Sequence, residues 1–158
     1  MKIEIPETLA DFTVEQFQKL DKASRKDDDF SVYEMVSAIV DRPLEEVRRY
    51  DFGSLGRILE ISLTQPKKLE MIKEFEIDEH KFVFNSDILN YKVRQIKSME
   101  KNGTVENWHK FLSLVYMCET LNEEEKNEKL KKAELNVIFG LYTYFYFLQN
   151  IIHRLDGQ

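Results

Sequence analysis

A chain of 158 residues, 42% hydrophobic and 33% charged, is long enough to bury a core and falls in the range of folded rather than disordered proteins. Its net charge of -6 leaves no surplus of Lys and Arg to displace counterions from a phosphate backbone, so no nucleic-acid partner is expected. Five glycines and three prolines are too few for an all-β architecture with many tight turns, and the single cysteine, Cys118, excludes an internal disulfide framework and fits a reducing compartment.

Lys2 to Ile5 alternate polar and apolar, which predicts a short strand that Pro6 ends. The start Met1-Lys2-Ile3-Glu4-Ile5 has neither a basic stretch followed by an apolar one nor a small-residue cleavage site, so an intracellular location is expected. Thr13, with Gln16 three residues later, has the spacing of a capping box and predicts a helix that shows Val14, Phe17 and Leu20 on one face. Ser24 to Asp29, with three consecutive aspartates, reads as an exposed charged link. Ser31 is expected to cap a second helix whose inner face holds Met35, Val36, Ile39 and Val40. Asp41-Arg42-Pro43 ends it and opens the next, with Pro43 in the first turn and Leu44, Val47 and Tyr50 as its stripe. Asp51-Phe52-Gly53 reads as a break, and Leu55, Ile58, Leu59 and Ile61 as a further helix that closes before Gln65-Pro66.

From Phe75 to Phe84 the period becomes two, with Phe75, Ile77, Phe82 and Phe84 alternating with polar neighbours around Asp78-Glu79-His80. This predicts a β-hairpin, and since an isolated hairpin is marginal in water it should pair with the Lys2–Ile5 strand or rest on a helix. Helices follow from about Lys92 to Lys101, stopped by Asn102-Gly103, and from about Val105 to Cys118, with Trp108, Phe111, Leu112 and Val115 inward. Cys118 ends an apolar run and reads as a buried, inert thiol. Asn122 to Lys132 is dominated by charge and reads as a solvated helix supported by Glu-to-Lys pairs. Leu135 to Ile152 holds no charged residue, and its apolar side chains point around the whole helix circumference. Such a helix must be buried. It can be a core helix clamped between two halves, a docking helix for another protein, or a membrane segment weakened by Asn136, Gly140, Thr143, Gln149 and Asn150.

Slid against itself by half its length, the chain keeps its apolar register without a gap. Leu9, Phe12, Val14, Phe17 and Leu20 fall on Ile88, Tyr91, Val93, Ile96 and Met99, and Met35, Val36 and Ile39 fall on Leu114, Val115 and Cys118. Residues 1–79 and 80–158 therefore read as two copies of one strand-plus-helices unit, packed as a single domain. No reaction is visible. His80, His109 and His153 share no spacing that converges on a metal, and Asp27-Asp28-Asp29 lacks the ligand pattern of a calcium loop. Gly53-Ser54-Leu55-Gly56-Arg57 is too short for a phosphate loop and has no lysine in place. No catalytic residue, metal ligand or cofactor is expected, and the chain reads as no enzyme.

The stretch Ile5-Pro6-Glu7-Thr8-Leu9-Ala10-Asp11-Phe12-Thr13-Val14-Glu15-Gln16-Phe17 resembles a recurrent opening in small, uncharacterised structural and assembly proteins of tailed bacteriophages, crAss-like phages among them. Met35-Val36-Ser37-Ala38-Ile39-Val40 with Leu44-Glu45-Glu46-Val47, then Leu55-Gly56-Arg57-Ile58-Leu59, is similar to the same group. So is the hairpin Phe75–Asp78 with Lys81–Phe84, followed by a helix containing Gln95. The helix-rich rhythm is also similar to tail assembly chaperones. The resemblance covers the chain to about Cys118 and leaves out the aromatic C-terminal helix. It implies a role in virion assembly near the portal and tail, in the host cytoplasm during assembly with retention in the virion left open, and it brings no catalytic residues with it.

The resulting expectation is a mainly α protein with a small antiparallel β element (α+β), a two-fold internal repeat and a long aromatic C-terminal helix. Its expected work is non-enzymatic protein–protein interaction in tailed-phage assembly, as a tail- or portal-region structural component or a tail assembly chaperone. The alternative is a cellular helical adaptor or regulatory module unrelated to phage. Tyr142, Tyr144, Phe145, Phe147, Leu148 and Ile151 are the candidate partner-binding residues, because buried aromatics dominate interface anchors. The expected partner is a phage tail or portal protein; a homo-oligomer is open, and a membrane is not expected.

Overall fold

A computed structural model describes residues 5–62, 70–86 and 104–144. Strand residues Lys2–Glu4 and the helix read into Lys92–Lys101 lie outside them. The rest is mainly helical with a small antiparallel sheet. The elements are α1 (Val14–Ser24), α2 (Ser31–Val40), α3 (Leu44–Val47), α4 (Phe52–Ser62), β1 (Glu74–Ile77), β2 (His80–Phe84), α5 (Trp108–Val115), β3 (Tyr116–Met117) and α6 (Glu123–Leu130). A last helix, α7, is described over residues 135–144.

The first turn of a helix has backbone N–H groups with no partner inside the helix. At α1 the Thr13 hydroxyl accepts from the Gln16 N–H at 3.2 Å, and the Gln16 side-chain oxygen accepts from the Thr13 N–H at 2.9 Å, the expected capping box. The next donors reach across the fold. Val14 N–H donates to the Ala133 carbonyl at 2.7 Å and Glu15 N–H to the Lys131 carbonyl at 2.8 Å. In return Leu135 N–H, the first of α7, donates to the Phe12 carbonyl at 2.7 Å. The two helix starts thus cap each other, with Thr13 opposite Glu134 in an antiparallel bridge. Phe12, Val14, Ala133 and Leu135 around it are all buried, where an unpaired main-chain polar group is costly.

Three local expectations are corrected. Ser31 is the first residue of α2 and not its cap; Phe30 holds that place, and the Asp28 carboxylate accepts the Phe30 N–H at 3.0 Å. Pro43 stands just before α3 rather than inside its first turn. Asp51-Phe52-Gly53 is a helix start and not a break: the Asp51 carboxylate accepts from the Ser54 N–H at 3.0 Å and the Ser54 hydroxyl at 2.6 Å, which holds its carboxyl below the usual range. Val36, Ile39, Val40, Val47, Leu55 and Ile58 are buried as read, and α2 packs against α1, α3 and α4.

The hairpin forms where it was expected. Its turn residues Asp78 and Glu79 both have positive φ, 48° and 67°, as a two-residue hairpin loop demands. Asp78 is anchored by Lys129 Nζ at 2.7 Å and Lys132 Nζ at 2.9 Å, and these charges hold its carboxyl down to about 2. The third strand is a correction. β2 pairs with β3, Val83 opposite Met117 and Phe84 opposite Tyr116, so the helix read over Val105–Cys118 ends at Val115. Phe82 and Tyr116 are buried on the inner face, with Phe75 stacked on Phe82 at 5.2 Å and edge-on to Tyr116 at 4.9 Å. The Tyr116 hydroxyl donates to the Ile72 carbonyl at 2.5 Å, and burial pushes that phenol well above its ordinary pKa. Gly140 lets α7 lie against the chain entering β1: a Cβ there would stand 3.1 Å from Met71 Cα and closer still to the Glu70 carbonyl.

One buried cluster runs from Phe12 to Leu141, drawing on residues from both halves of the chain. At the half-length offset, helix meets helix over 31–36 with 110–115, 44–47 with 123–126 and 56–62 with 135–141; β3 has no strand counterpart in α2.

Two outcomes follow from the backbone. Glu15 is exposed, so Glu15→Ala should change stability by less than about 0.5 kcal/mol, whereas Glu15→Pro, which removes the bond to Lys131, should cost about 1 kcal/mol or more in chemical denaturation. Glu79→Gly relieves a left-handed non-glycine residue and should raise stability by about 1 kcal/mol, read as a higher denaturation midpoint.

Candidate functional site

The aromatic surface is assembled from α1, α5, β2 and α7. Trp108 opens α5 and is buried; its indole stacks on Phe17 of α1 at 5.2 Å and meets Phe139 of α7 edge-on at 6.1 Å. The indole N–H donates to the Tyr142 hydroxyl at 3.0 Å. Tyr142 also stacks on Phe111 at 5.9 Å, so an exposed aromatic of α7 is held flat against α5. Partial burial raises the Tyr142 phenol above its ordinary pKa, while the indole N–H works against that shift. Tyr144 is half-buried and edge-on to Phe84 of β2 at 5.7 Å. These offsets and edge contacts are the favoured geometries for aromatic pairs.

Of the six residues read as partner-binding, Tyr142 and Tyr144 are therefore brought together with α5 and the sheet. Both touch the chain's own core, and Tyr142 keeps 38% of its surface open. Phe145, Phe147, Leu148 and Ile151 lie outside the described residues. Leu135, Val137, Ile138 and Leu141 are buried within the protein, so the described part of α7 serves as a core helix with one aromatic edge outward. No helix among the described residues is long and apolar enough to cross a membrane.

Further apolar surface is exposed on α5 and on the outer face of the sheet. Val83 and Met117 are directly paired across β2 and β3 and both point outward, Met117 with 51% of its surface open. Leu114, one turn along α5 from Phe111, is also exposed. The missed signal is parity. Read as helix, Met117 continues an apolar run; read as strand, Tyr116 faces in and Met117 faces out.

The polar candidates stay apart. His80 Nδ1 lies 2.8 Å from the Thr120 hydroxyl beside the hairpin, while His109 is bonded to Gln18 on the far side of α5; His153 is outside the described residues. Cys118, read as buried, is half-buried, its Sγ 3.4 Å from the Thr120 hydroxyl. Asp27, Asp28 and Asp29 are exposed, and among the described residues no group of three or more His, Cys, Asp or Glu gathers to hold a metal. An open groove of about 580 Å³ runs between α1 and the end of α2, rimmed by Lys19, Lys22, Lys26 and Arg42, with Glu34 already paired to Lys26 at 2.6 Å. No family model matches the chain, and no curated protein or solved structure matches it significantly.

Tyr142→Phe keeps the ring and removes the hydroxyl. It should lower stability by about 1 kcal/mol and shift the emission of Trp108, the chain's one tryptophan, measured in a denaturant titration.

Proposed function

We propose that this chain is a non-enzymatic interaction protein of tailed-phage virion assembly, a tail- or portal-region component or a tail assembly chaperone. It would work by packing apolar surface on a partner protein. The phage assignment rests on the resemblance of Ile5–Phe17 and the stretches after it. The observation that carries the interaction reading is the aromatic seam of α5 and α7, which leaves Tyr142 partly open, while Leu114 of α5 and the outward pair Val83 and Met117 of the sheet are exposed as well. Aromatic and Met side chains are enriched at interface centres, and an anchor there is worth about 2 kcal/mol or more. Rigid presentation supports this, since Tyr142 is already fixed by Trp108 and Phe111 and loses little freedom on docking.

The test is affinity capture of the tagged chain from infected cells. The native chain should recover a tail or portal polypeptide, and the outward pair Val83→Lys with Met117→Lys, folded by circular dichroism, should recover at least about tenfold less. Equal recovery by that folded variant would sink the proposed surface. Capture of a cellular protein from uninfected cells, with no virion polypeptide from infected ones, would favour the cellular adaptor instead.

A further inference from the structure

We infer that Gln18 and His109 form a proton-operated latch between α1 and α5, closed while the His109 ring is neutral and released when it takes a second proton. Gln18 Nε2 lies 2.9 Å from the Val105 carbonyl oxygen and 3.1 Å from His109 Nδ1. A carbonyl oxygen only accepts, so the amide nitrogen of Gln18, and not its oxygen, must face Val105. That nitrogen's second hydrogen then points at His109 Nδ1, which must offer a lone pair. The ring is therefore neutral, with its proton on Nε2.

Protonation breaks this arrangement in either orientation of the amide. With the nitrogen in place, N–H faces N–H. With the amide flipped, its oxygen meets the imidazolium but also confronts the Val105 oxygen, acceptor against acceptor. The surroundings reinforce the neutral form. Partial burial acts first, and Lys131 after α6 and Lys110 of α5 add to it, so the ring's pKa lies below its ordinary value. Glu128 of α6 favours the charged ring but is tied to Lys131 at 2.6 Å. Glu106, in the turn before α5, is exposed, and α1 meets the ring with the uncharged Gln18. A histidine whose native form resists its proton makes the open state bind more protons than the closed one. Closure is then complete above the ordinary histidine range and weakens as pH falls through it.

The neighbouring contact in the same seam is the Phe17–Trp108 stack, so the latch has a built-in reporter. In the full chain, Trp108 emission should change between about pH 7.5 and pH 5, in step with the His109 ring resonance by NMR, and with a midpoint below about 6.5. His109→Gln should abolish that emission change. Gln18→Ala, which removes the amide donor and lets water reach the ring, should raise the His109 midpoint toward its ordinary value. Flat native emission over this range, an unchanged transition in His109→Gln, or an unmoved midpoint in Gln18→Ala would each overturn the latch; the last readout stands even if His109→Gln fails to fold.

Discussion

The fold hangs on the place where two helices begin. α1 and α7 both start inside the protein, where their free N–H groups have to be met by something other than solvent. Phe12 to Glu15 and Lys131 to Leu135 run antiparallel there and exchange three main-chain hydrogen bonds of 2.7 to 2.8 Å. Thr13 completes the set by closing its own box with Gln16. Neither helix start is satisfied by its local sequence alone. Each supplies what the other lacks, and the pairing sets their relative position before any side chain packs.

The aromatic seam is a result of that placement. With α1 fixed, Phe17 lies over Trp108; with α7 fixed, Phe139 and Tyr142 reach Trp108 and Phe111 from the other direction. α5 is held between them. The sheet is joined to the same body through Tyr144 on Phe84, Tyr116 on Ile72, and the close pass of Gly140 against Glu70 and Met71. Outer-face residues are what remain after these contacts are made. The proposed interaction surface would thus be presented by helices and strands and not by a loop, which favours recognition with little reordering.

What could be read from the sequence follows the range of the interaction responsible. The Thr13–Gln16 box, the hairpin around Asp78-Glu79, the inward set Trp108, Phe111, Leu112 and Val115, and the solvated α6 were legible because each is governed by residues a few positions apart. Ser31 and Asp51 differ from their sequence reading for separate local reasons. At α2 the Tyr33 and Glu34 N–H groups both reach back to the Phe30 carbonyl, which starts the helix one residue before the serine, and an aspartate before Phe-Gly serves a cap as well as a break. β3 was not legible, since Tyr116-Met117 extends an apolar run that fits a helix, and only β2 alongside converts it to strand. The mutual capping, the Trp108–Tyr142 bond and the Gln18 bridge leave no periodic trace at all. Of the candidate surface, the aromatic content of α7 was visible, but which side is spent on the core was not.

The exchange between Thr13 and Glu134 also bears on how the chain comes to be made. A ribosome releases residue 13 well before residue 134 has been polymerised, an interval on the order of ten seconds at ordinary elongation speeds. Through that interval the N–H groups of Val14 and Glu15 have only solvent to meet them, while α1 can already pack on α2. The junction of the two helix starts therefore closes only once the segment around Glu134 has left the ribosome.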